Sequence, residues 1–286
     1  MTDDSLEPPW VAVHARACEA GHPTYRDPET GYSVFSEVGL RRRGRCCGCA
    51  CRHCPWGHEA VPVAERARRA QRPTMLVGSR PRDVECSIVF WSGGKDSFLA
   101  LRRMRRLRPE SELVLLTTFD RASGVVAHQE LRINRVVLQA QALGVSLLGV
   151  PLVRNGAYET DVAAGLAYLA EEAELRALVF GDLHLEEIRR WREARLGPMA
   201  DAHGAELMFP LWRTPYEELF DELVKTGAEV VLSAAPEPGQ LGFASIGDRF
   251  DRALVARFAP TVDPFGESGE FHTEVRAESL SSSSLR

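Results

Sequence analysis

The sequence predicts an α/β protein with a doubly wound, mostly parallel sheet. After Cys86, short continuous apolar runs alternate with segments of helical periodicity, and runs of this kind are typical of strands buried on both faces. The first run leads directly into a glycine-rich turn that opens a helix, as expected at the edge of a parallel sheet where ligands bind. With 286 residues, 44% hydrophobic and 26% charged, the composition excludes a disordered or collagen-like chain.

Six segments are predicted to be strands because each is a short run rich in apolar or β-branched residues. In chain order they are Ser87–Trp91, Leu113–Phe119, Ser146–Leu152, Ala177–Phe180, Leu207–Trp212 and Glu229–Ser233. Segments with apolar residues at helical spacing follow the strands. They are Phe98–Leu107, Gln129–Leu143, Tyr158–Glu172, His184–Ala202, Pro215–Lys225 and Phe250–Phe258. The alternation predicts a parallel sheet with helices on both faces.

Cysteine usage predicts how the chain is divided. Six of the seven cysteines precede residue 55, so residues 1–72 are predicted to form a Cys-rich module. Residues 73–84 contain Pro, Gly and Arg without a regular apolar pattern, which predicts a linker. The nucleotide domain is predicted to span 85–275. Residues 276–286 include four consecutive serines and are predicted to be a disordered tail.

The sequence contains no sign of a membrane segment or a secretory leader. No window is long and apolar enough to cross a bilayer, and the acidic stretch Met1 to Pro9 lacks the basic and apolar regions of a signal peptide. The net charge is −5. We therefore expect a cytoplasmic protein with no membrane partner.

The loop Ser92–Ser97 (SGGKDS) is predicted to bind phosphate. It follows the first predicted strand and opens a helix, where free N–H groups and the positive end of the helix dipole attract anions. Its glycines let the backbone approach phosphate oxygens, and its serines and lysine add donors. Lys95 is one of only two lysines, with Lys225, in a chain whose other basic residues are arginine. The spacing differs from both the Walker A loop and the Gly-x-Gly-x-x-Gly fingerprint.

The loop resembles the PP-loop of the N-type ATP pyrophosphatases, of the adenine nucleotide alpha hydrolase-like superfamily. Three further segments make the chain similar to the diphthine–ammonia ligase family: Gly181-Asp182-Leu183 followed by Arg189, then Phe209–Trp212, and the acidic segment Asp263–Thr273 (DPFGESGEFHT). The similarity covers about residues 87 to 275.

The resemblance implies a HUP/Rossmann-like domain that converts ATP to AMP and pyrophosphate. A substrate carboxylate, on a small molecule or a protein side chain, would be activated as an acyl-adenylate and then amidated by ammonium or another amine donor. The chain departs from the family pattern at Phe265 and His272. The chemistry is therefore implied more directly than diphthine as the physiological substrate.

The resemblance also suggests which residues contribute to the site. Those implied in catalysis are Lys95, Glu267 and Glu270. Those implied in binding ATP are Ser92, Gly93, Gly94, Lys95, Asp96, Ser97, Thr118, Phe119, Asp120, Gly181, Asp182 and Arg189. The two glutamates suit either Mg²⁺ on the triphosphate or proton transfer from the attacking amine. By spacing alone they also fit a solvated acidic turn. Alternatives for two other residues are an N-cap role for Asp182 and a solvated surface position for Arg189.

The N-terminal cysteine cluster is predicted to bind metal because thiol clusters in cytosolic proteins are more often ligands than disulfides. The candidate ligands are Cys46, Cys47, Cys49, Cys51, Cys54 and His58. Zn²⁺ and an iron–sulfur cluster both suit thiolates, and reduced thiols in a small packed module are the alternative. The block also resembles a small uncharacterised Cys-rich module that occurs alone or fused to other domains.

Two other functions remain compatible with these residues. Arginines 41, 42, 43, 45 and 52 surround the cluster, which suggests a PP-loop enzyme that modifies a tRNA base and uses the module for RNA contact or sulfur handling. The negative net charge and the scarcity of aromatic residues near the cluster make RNA the less favoured partner. The other alternative is a protein that binds ATP without turning it over.

Overall fold

The computed structural model describes residues 9–56, 58–62, 70, 72–121, 123–126, 131–152, 158–235, 241 and 244–285. The chain forms two compact units, Met1–Arg69 and Ala70–Arg286. Among the described helices, none is long and apolar enough to cross a membrane.

The first unit is built from short elements. Helix α1 (Trp10–Glu19) precedes an antiparallel pair, β1 (Thr24–Arg26) and β2 (Ser33–Phe35), and then α2 (Glu37–Arg41). Side chains of the cysteine block join this framework. Arg52 pairs with the buried Asp27 at 2.8 Å, and the buried His53 bonds to the hydroxyl of Tyr25 at 2.7 Å. This block is therefore anchored by ionic and aromatic contacts as well as by its own apolar residues.

The second unit has a six-stranded sheet with the order β3-β6-β5-β4-β7-β8. Its strands are β3 (Thr74–Val77), β4 (Glu85–Phe90), β5 (Glu112–Asp120), β6 (Ser146–Leu152), β7 (Glu174–Val179) and β8 (Glu206–Met208). Every neighbouring pair is parallel except β3 and β6. The predicted α/β fold with a mostly parallel sheet is confirmed.

Helices follow the strands in the alternation that the sequence predicts. They are α3 (Lys95–Leu107), α4 (Ile133–Leu143), α5 (Tyr158–Ala170), α6 (Glu186–Ala202), α7 (Tyr216–Thr226) and α8 (Arg252–Val255). The central strands β4, β5, β6 and β7 are mostly buried; in β4, for example, Ile88 and Val89 are inaccessible to solvent. Burial on both faces explains why these strands appear as continuous apolar runs rather than as alternating ones.

The strand order reverses on the two sides of β4. The chain runs from β4 to β5 and β6 on one side, then crosses to β7 and β8 on the other. Ligands of open α/β sheets bind at the carboxyl ends of the strands, where the order reverses. The loops after β4 and β7 therefore frame the expected site. A shallow cleft lined by residues such as Pro109, Ser111 and Val145 lies at the opposite, amino-terminal edge.

One predicted strand does not belong to the main sheet. The segment predicted at Glu229–Ser233 forms β9 (Val230–Ala234), which pairs antiparallel with β10 (His272–Val275) in a separate two-stranded sheet. The sixth strand of the main sheet is instead β3, inside the segment predicted to be a linker. Met75 and Leu76 of β3 are buried, but the Pro, Gly and Arg residues around this short run conceal it from pattern analysis.

Three further segments differ from the sequence prediction. The predicted strand Leu207–Trp212 stops at Met208, because Pro210 cannot donate a ladder hydrogen bond. The predicted helix Phe250–Phe258 is helical only at α8. Residues 277–285 are ordered into two 3₁₀ turns, Ala277–Ser279 and Ser282–Leu285, rather than forming a disordered tail, because Leu280 and Leu285 anchor them in the core. Of the predicted helix 129–143, residues 129 and 130 lie outside the described residues.

Candidate nucleotide-binding site

The phosphate loop lies between β4 and α3, and its backbone is held in a fixed conformation. Gly93 has a φ of +86°, a conformation that side chains disfavour. A Cβ atom built there would lie 2.8 Å from Oε1 of Gln139. Gly94 is the N-cap of α3, and the hydroxyl of Ser97 donates to its carbonyl at 3.0 Å. The first turn of a 13-residue helix is thus presented at the carboxyl edge of the sheet.

Lys95 is buried at the start of α3. Its side chain is 3% exposed, and Nζ donates to Oδ2 of Asp96 at 2.9 Å and to the carbonyl of Phe265 at 2.6 Å. Nζ also lies 5.0 to 5.8 Å from the centroids of three phenyl rings, those of Phe250, Phe265 and Phe271. The ammonium therefore lies in an aromatic cage, where cation–π attraction adds to the hydrogen bonds. Lys95 consequently joins the phosphate loop to the acidic segment.

Asp96 has one carboxylate oxygen with a partner and one without. Oδ2 accepts from Lys95, whereas Oδ1 is buried and has no hydrogen-bond partner among the described residues. Burial raises the pKa of Asp96, and the Lys95 ammonium opposes that shift. An unpartnered buried carboxylate oxygen is costly. Asp96 Oδ1 is therefore the clearest position in the site for a ligand that donates a hydrogen bond or for a metal ion.

The acidic segment is folded around Asp263. Oδ1 of this residue accepts the backbone N–H groups of Phe265 and Glu267, and Oδ2 accepts the hydroxyl of Tyr216 at 2.7 Å. The N–H of Asp263 donates in turn to Oε1 of Glu270 at 2.9 Å. Glu270 is 6% exposed, and its Oε2 has no partner among the described residues. The segment is therefore a packed turn, not a solvated one.

The Glu267 carboxyl interacts electrostatically with the start of α3. Desolvation raises its pKa to about 7, with a further contribution from the negative charge of Asp96, while the Lys95 ammonium and a hydrogen bond from the N–H of Leu183 oppose the rise. Asp182 adds a smaller repulsive contribution. The groups that influence this carboxyl come from the loop after β4 and the loop after β7. The structure thus brings Glu267 together with Lys95, Asp96 and Asp182.

Residues of β10 and α4 also hold the phosphate loop, and none of them was predicted to be a catalytic or ATP-binding residue. Thr273 Oγ1 accepts the N–H of Lys95 at 3.2 Å, and the N–H of Val275 donates to the carbonyl of Gly93 at 3.0 Å. Gln139, fully buried on α4, donates to the carbonyls of Gly93 and Val275 and accepts from the indole of Trp91. A polar residue on the buried face of a predicted helix is the only signal that could have identified Gln139.

Asp182 and Arg189, both predicted to contact ATP, each form an ion pair within the protein. Asp182 forms a two-bond ion pair with Arg192, at 2.5 and 2.9 Å. It is not the N-cap of α6, because Leu185 occupies that position. Arg189 pairs with Glu193 at 2.8 Å and lies over the rings of Phe209 and Trp212. Arg192, which sequence reasoning missed, is therefore the arginine that contacts the loop after β7.

The predicted adenosine contacts lie at the carboxyl end of β5, the strand next to β4. Phe119 is 1% exposed and belongs to the core, and it is paired with Pro151 of β6 and bridged to Val126. Neither its side chain nor its place in the sheet favours direct contact with adenosine. The Asp120 carboxylate accepts the N–H and the hydroxyl of Ser123, which stabilises the turn that follows. Thr118 is half-buried at the same edge.

The structure does not assemble the predicted metal ligands into one site. The described residues contain no group of three or more His, Cys, Asp or Glu side chains placed to hold a metal. Two thiol pairs occur instead: Cys47 with Cys51 at 3.4 Å, and Cys46 with Cys54 at 3.7 Å. His58 Nε2 bonds to the carbonyl of Cys51. A hydrogen bond from the N–H of Cys49 lowers the pKa of Cys47 to about 7, whereas burial raises that of Cys51 to about 11.

Fold and loop together define the second unit as a PP-loop domain of the Rossmann-like class. Residues 85–196 match the family model described as the diphthamide synthase N-terminal domain. The resemblance predicted from the loop and the segments that follow it is thus confirmed over this stretch. Residues 13–60 match a family of unknown function, DUF5522, in agreement with the predicted uncharacterised module.

One solved structure that matches is titled as a predicted subunit of tRNA methyltransferase from Methanocaldococcus jannaschii. It is 16% identical in sequence and has a TM-score of 0.36, and the match covers 67% of this chain and 96% of that chain.

Gly181→Ala is expected to destabilise the site, because the two loops touch at this glycine. A Cβ there would lie 2.8 Å from the carbonyl carbon of Asp96 and 3.0 Å from the nitrogen of Ser97. Backbone atoms cannot move away from the added Cβ without distorting the loop. We therefore expect a loss of about 1–3 kcal/mol in the free energy of unfolding, measured with urea. Gly197 on α6 has open space around it, and Gly197→Ala is expected to add about 0.5–1 kcal/mol. Equal effects of the two substitutions would contradict the close contact.

Proposed function

We propose that the second unit activates a substrate carboxylate as an acyl-adenylate, with ATP converted to AMP and pyrophosphate, and that an amine then displaces AMP to form an amide. The observation that supports this most directly is the position of Glu267. Its carboxyl has a pKa raised to about 7 and interacts with Asp96 and Lys95 at the start of α3. A carboxyl of raised pKa that interacts with the first turn of α3 supports the proposal that phosphate binding and proton transfer occur in one site.

The triphosphate is expected to bind at the amino end of α3. The aligned N–H groups of a helix terminus attract phosphate oxygens, and the hydroxyls of Ser92 and Ser97, which lie 3.3 Å apart, add donors. The adenosine would extend toward Thr118–Asp120 along the neighbouring strand, and Asp182 would contact ribose or metal. Catalysis of this kind depends mainly on positioning and on stabilising charge.

Mg²⁺ fits the residues present. Among the described residues, the unpartnered buried oxygens include two carboxylate atoms of the phosphate loop and the acidic segment, Asp96 Oδ1 and Glu270 Oε2. Hard cations take carboxylate oxygens. Mg²⁺ is commonly held by one or two carboxylates together with substrate phosphates, so a three-residue ligand set is not required. Asp96 would hold the ion, which would supply neutralisation of negative charge on the phosphates.

Glu267 is the residue proposed to accept a proton. Ammonium must lose a proton before nitrogen can attack the adenylate, and a carboxylate with a pKa near 7 is a more effective base than one with an ordinary value. Lys95 would retain the acidic segment against the loop through the carbonyl of Phe265. The same ammonium would place positive charge beside the departing pyrophosphate.

The test is an assay of the full chain with Mg²⁺, ATP and a panel of carboxylates. We expect AMP and pyrophosphate in equal amounts with a competent carboxylate. With hydroxylamine in place of ammonium, we expect a hydroxamate, which reports the acyl-adenylate. Release of ADP and phosphate alone would refute the proposal. ATP binding without turnover would favour the non-catalytic alternative, and salt-sensitive binding of tRNA coupled to turnover would favour the tRNA-modifying one.

A further inference from the structure

The cysteine block of the first unit contains an exposed pair of thiols at a short distance. Cys47 Sγ and Cys51 Sγ lie 3.4 Å apart. Cys47 is exposed and Cys51 partly so. All seven cysteines lie in the described part of the chain and are present as thiols. A small movement of the two side chains would therefore bring the sulfur atoms to bonding distance.

The backbone between the two cysteines is bent so that their side chains meet. Gly48 has a φ of +73° and Ala50 a φ of +49°, so two left-handed residues occur within the five-residue segment. The turn is also packed: a Cβ built on Gly48 would lie 3.1 Å from the carbonyl of Ala60. The approach of the thiols is consequently a property of the fold and not of a flexible loop.

The second thiol pair differs in its environment. Cys46 and Cys54 are 3.7 Å apart, but both are buried and pack with Val61 in a small apolar cluster. A dissolved disulfide therefore reaches Cys47 but not these two sulfur atoms. Positive charge also favours Cys47, because Arg41, Arg42, Arg43 and Arg45 precede it closely in the chain. The guanidinium of Arg43 is held over the ring of Phe35, 4.3 Å from the ring centroid. Cationic surroundings favour thiolate chemistry and attract anionic reagents.

We propose that Cys47 and Cys51 form a redox-active dithiol whose partner is a small anionic disulfide. The Cys47 thiolate attacks one sulfur of the disulfide, forms a mixed disulfide and releases the first thiolate. Cys51 then loses its proton to solvent and attacks Sγ of Cys47, which releases the second thiolate. The protein gives up two electrons and two protons, and the small disulfide becomes two thiols.

The test treats the full chain with defined ratios of oxidised to reduced glutathione, followed by acid quenching, alkylation and peptide mass mapping. We expect loss of two alkylatable thiols and a single intramolecular disulfide between Cys47 and Cys51, reversed by reduced glutathione. Cys51→Ser is expected to trap glutathione on Cys47, and Cys47→Ser to prevent both products. Cys86→Ala, at a fully buried position in β4, is the control and should leave the disulfide unchanged.

Several results would overturn the proposal, and they come from the wild-type chain, so none depends on the folding of a variant. They are a disulfide mapped to Cys46 and Cys54, a disulfide that includes Cys49, or no disulfide at any glutathione ratio. The proposal would also be overturned if the isolated protein contained a stoichiometric metal ion that is bound by Cys47 and Cys51 and blocks their oxidation.

Discussion

Lys95→Met is expected to lower the rate of pyrophosphate release by about a hundredfold or more, the usual effect of removing one donor that stabilises developing charge. Methionine retains much of the length and volume of the side chain, so the three phenyl rings around it keep their packing. It cannot donate to the carbonyl of Phe265 or to Asp96, the two bonds that the ammonium makes. The variant therefore loses charge and the link to the acidic segment without creating a large cavity.

The second lysine of the chain provides the matched control. Lys225 lies in the last turn of α7, and Lys225→Met should leave pyrophosphate release unchanged. Lys95→Arg should also be impaired, because a planar guanidinium does not fit a cage shaped for a compact ammonium. Thermal unfolding separates loss of function from loss of fold. Unchanged turnover and ATP affinity in a folded Lys95→Met protein would show that the site is misassigned.

The sheet was predictable because most of its strands are continuous apolar runs that alternate with helices along the chain. Ser146–Leu152 is predicted with the same bounds that the structure shows. Strand β3 could not be found this way, since four residues beside prolines, glycines and arginines carry too little periodicity. The pairing of β9 with β10 was also hidden, because a long segment separates them and no local pattern encodes long-range antiparallel partners.

The site was predictable where it depends on local chemistry and not where it depends on distant partners. The loop motif alone identifies Gly93 and Lys95, because glycine conformation and helix polarity are local properties. The carbonyl of Phe265 that receives the Lys95 ammonium lies 170 positions further along the chain, and no spacing rule connects the two. For the same reason the ion pair between Asp182 and Arg192 was not predicted, since which arginine of α6 reaches Asp182 depends on how the helix packs.

Glu267→Gln is the second substitution with a large expected effect, and its effects on activity and stability have opposite signs. If Glu267 accepts the proton of the amine, the wild-type rate should rise with pH as the carboxyl ionises near its pKa of about 7. Glutamine cannot accept that proton, so the rate should fall by about a hundredfold above pH 7 and lose this pH dependence. The proton is accepted after pyrophosphate has left, so the readout is amide formation at saturating ATP and carboxylate. Measured from pH 5.5 to 8.5, a range of about 1.5 units on either side of that pKa, it reports both effects.

The stability effect follows from the same raised pKa. The folded state binds the proton of Glu267 more tightly than the unfolded state, whose pKa has the ordinary value of 4.5, so ionisation costs the fold free energy as pH rises from about 4.5 to 7. Glutamine does not ionise, so the variant avoids this destabilisation. The N–H of Leu183 can still donate to its amide oxygen. Without nucleotide, urea unfolding at pH 8 should therefore show Glu267→Gln to be more stable by about 1–3 kcal/mol, with little difference near pH 4.5. Glu112, exposed at the start of β5, is the control, and Glu112→Gln should show no such change. A variant that is less stable than the wild type at pH 8 would mean that Glu267 is a structural carboxylate, held by favourable contacts in its ionised form, and not a base kept near neutrality by desolvation.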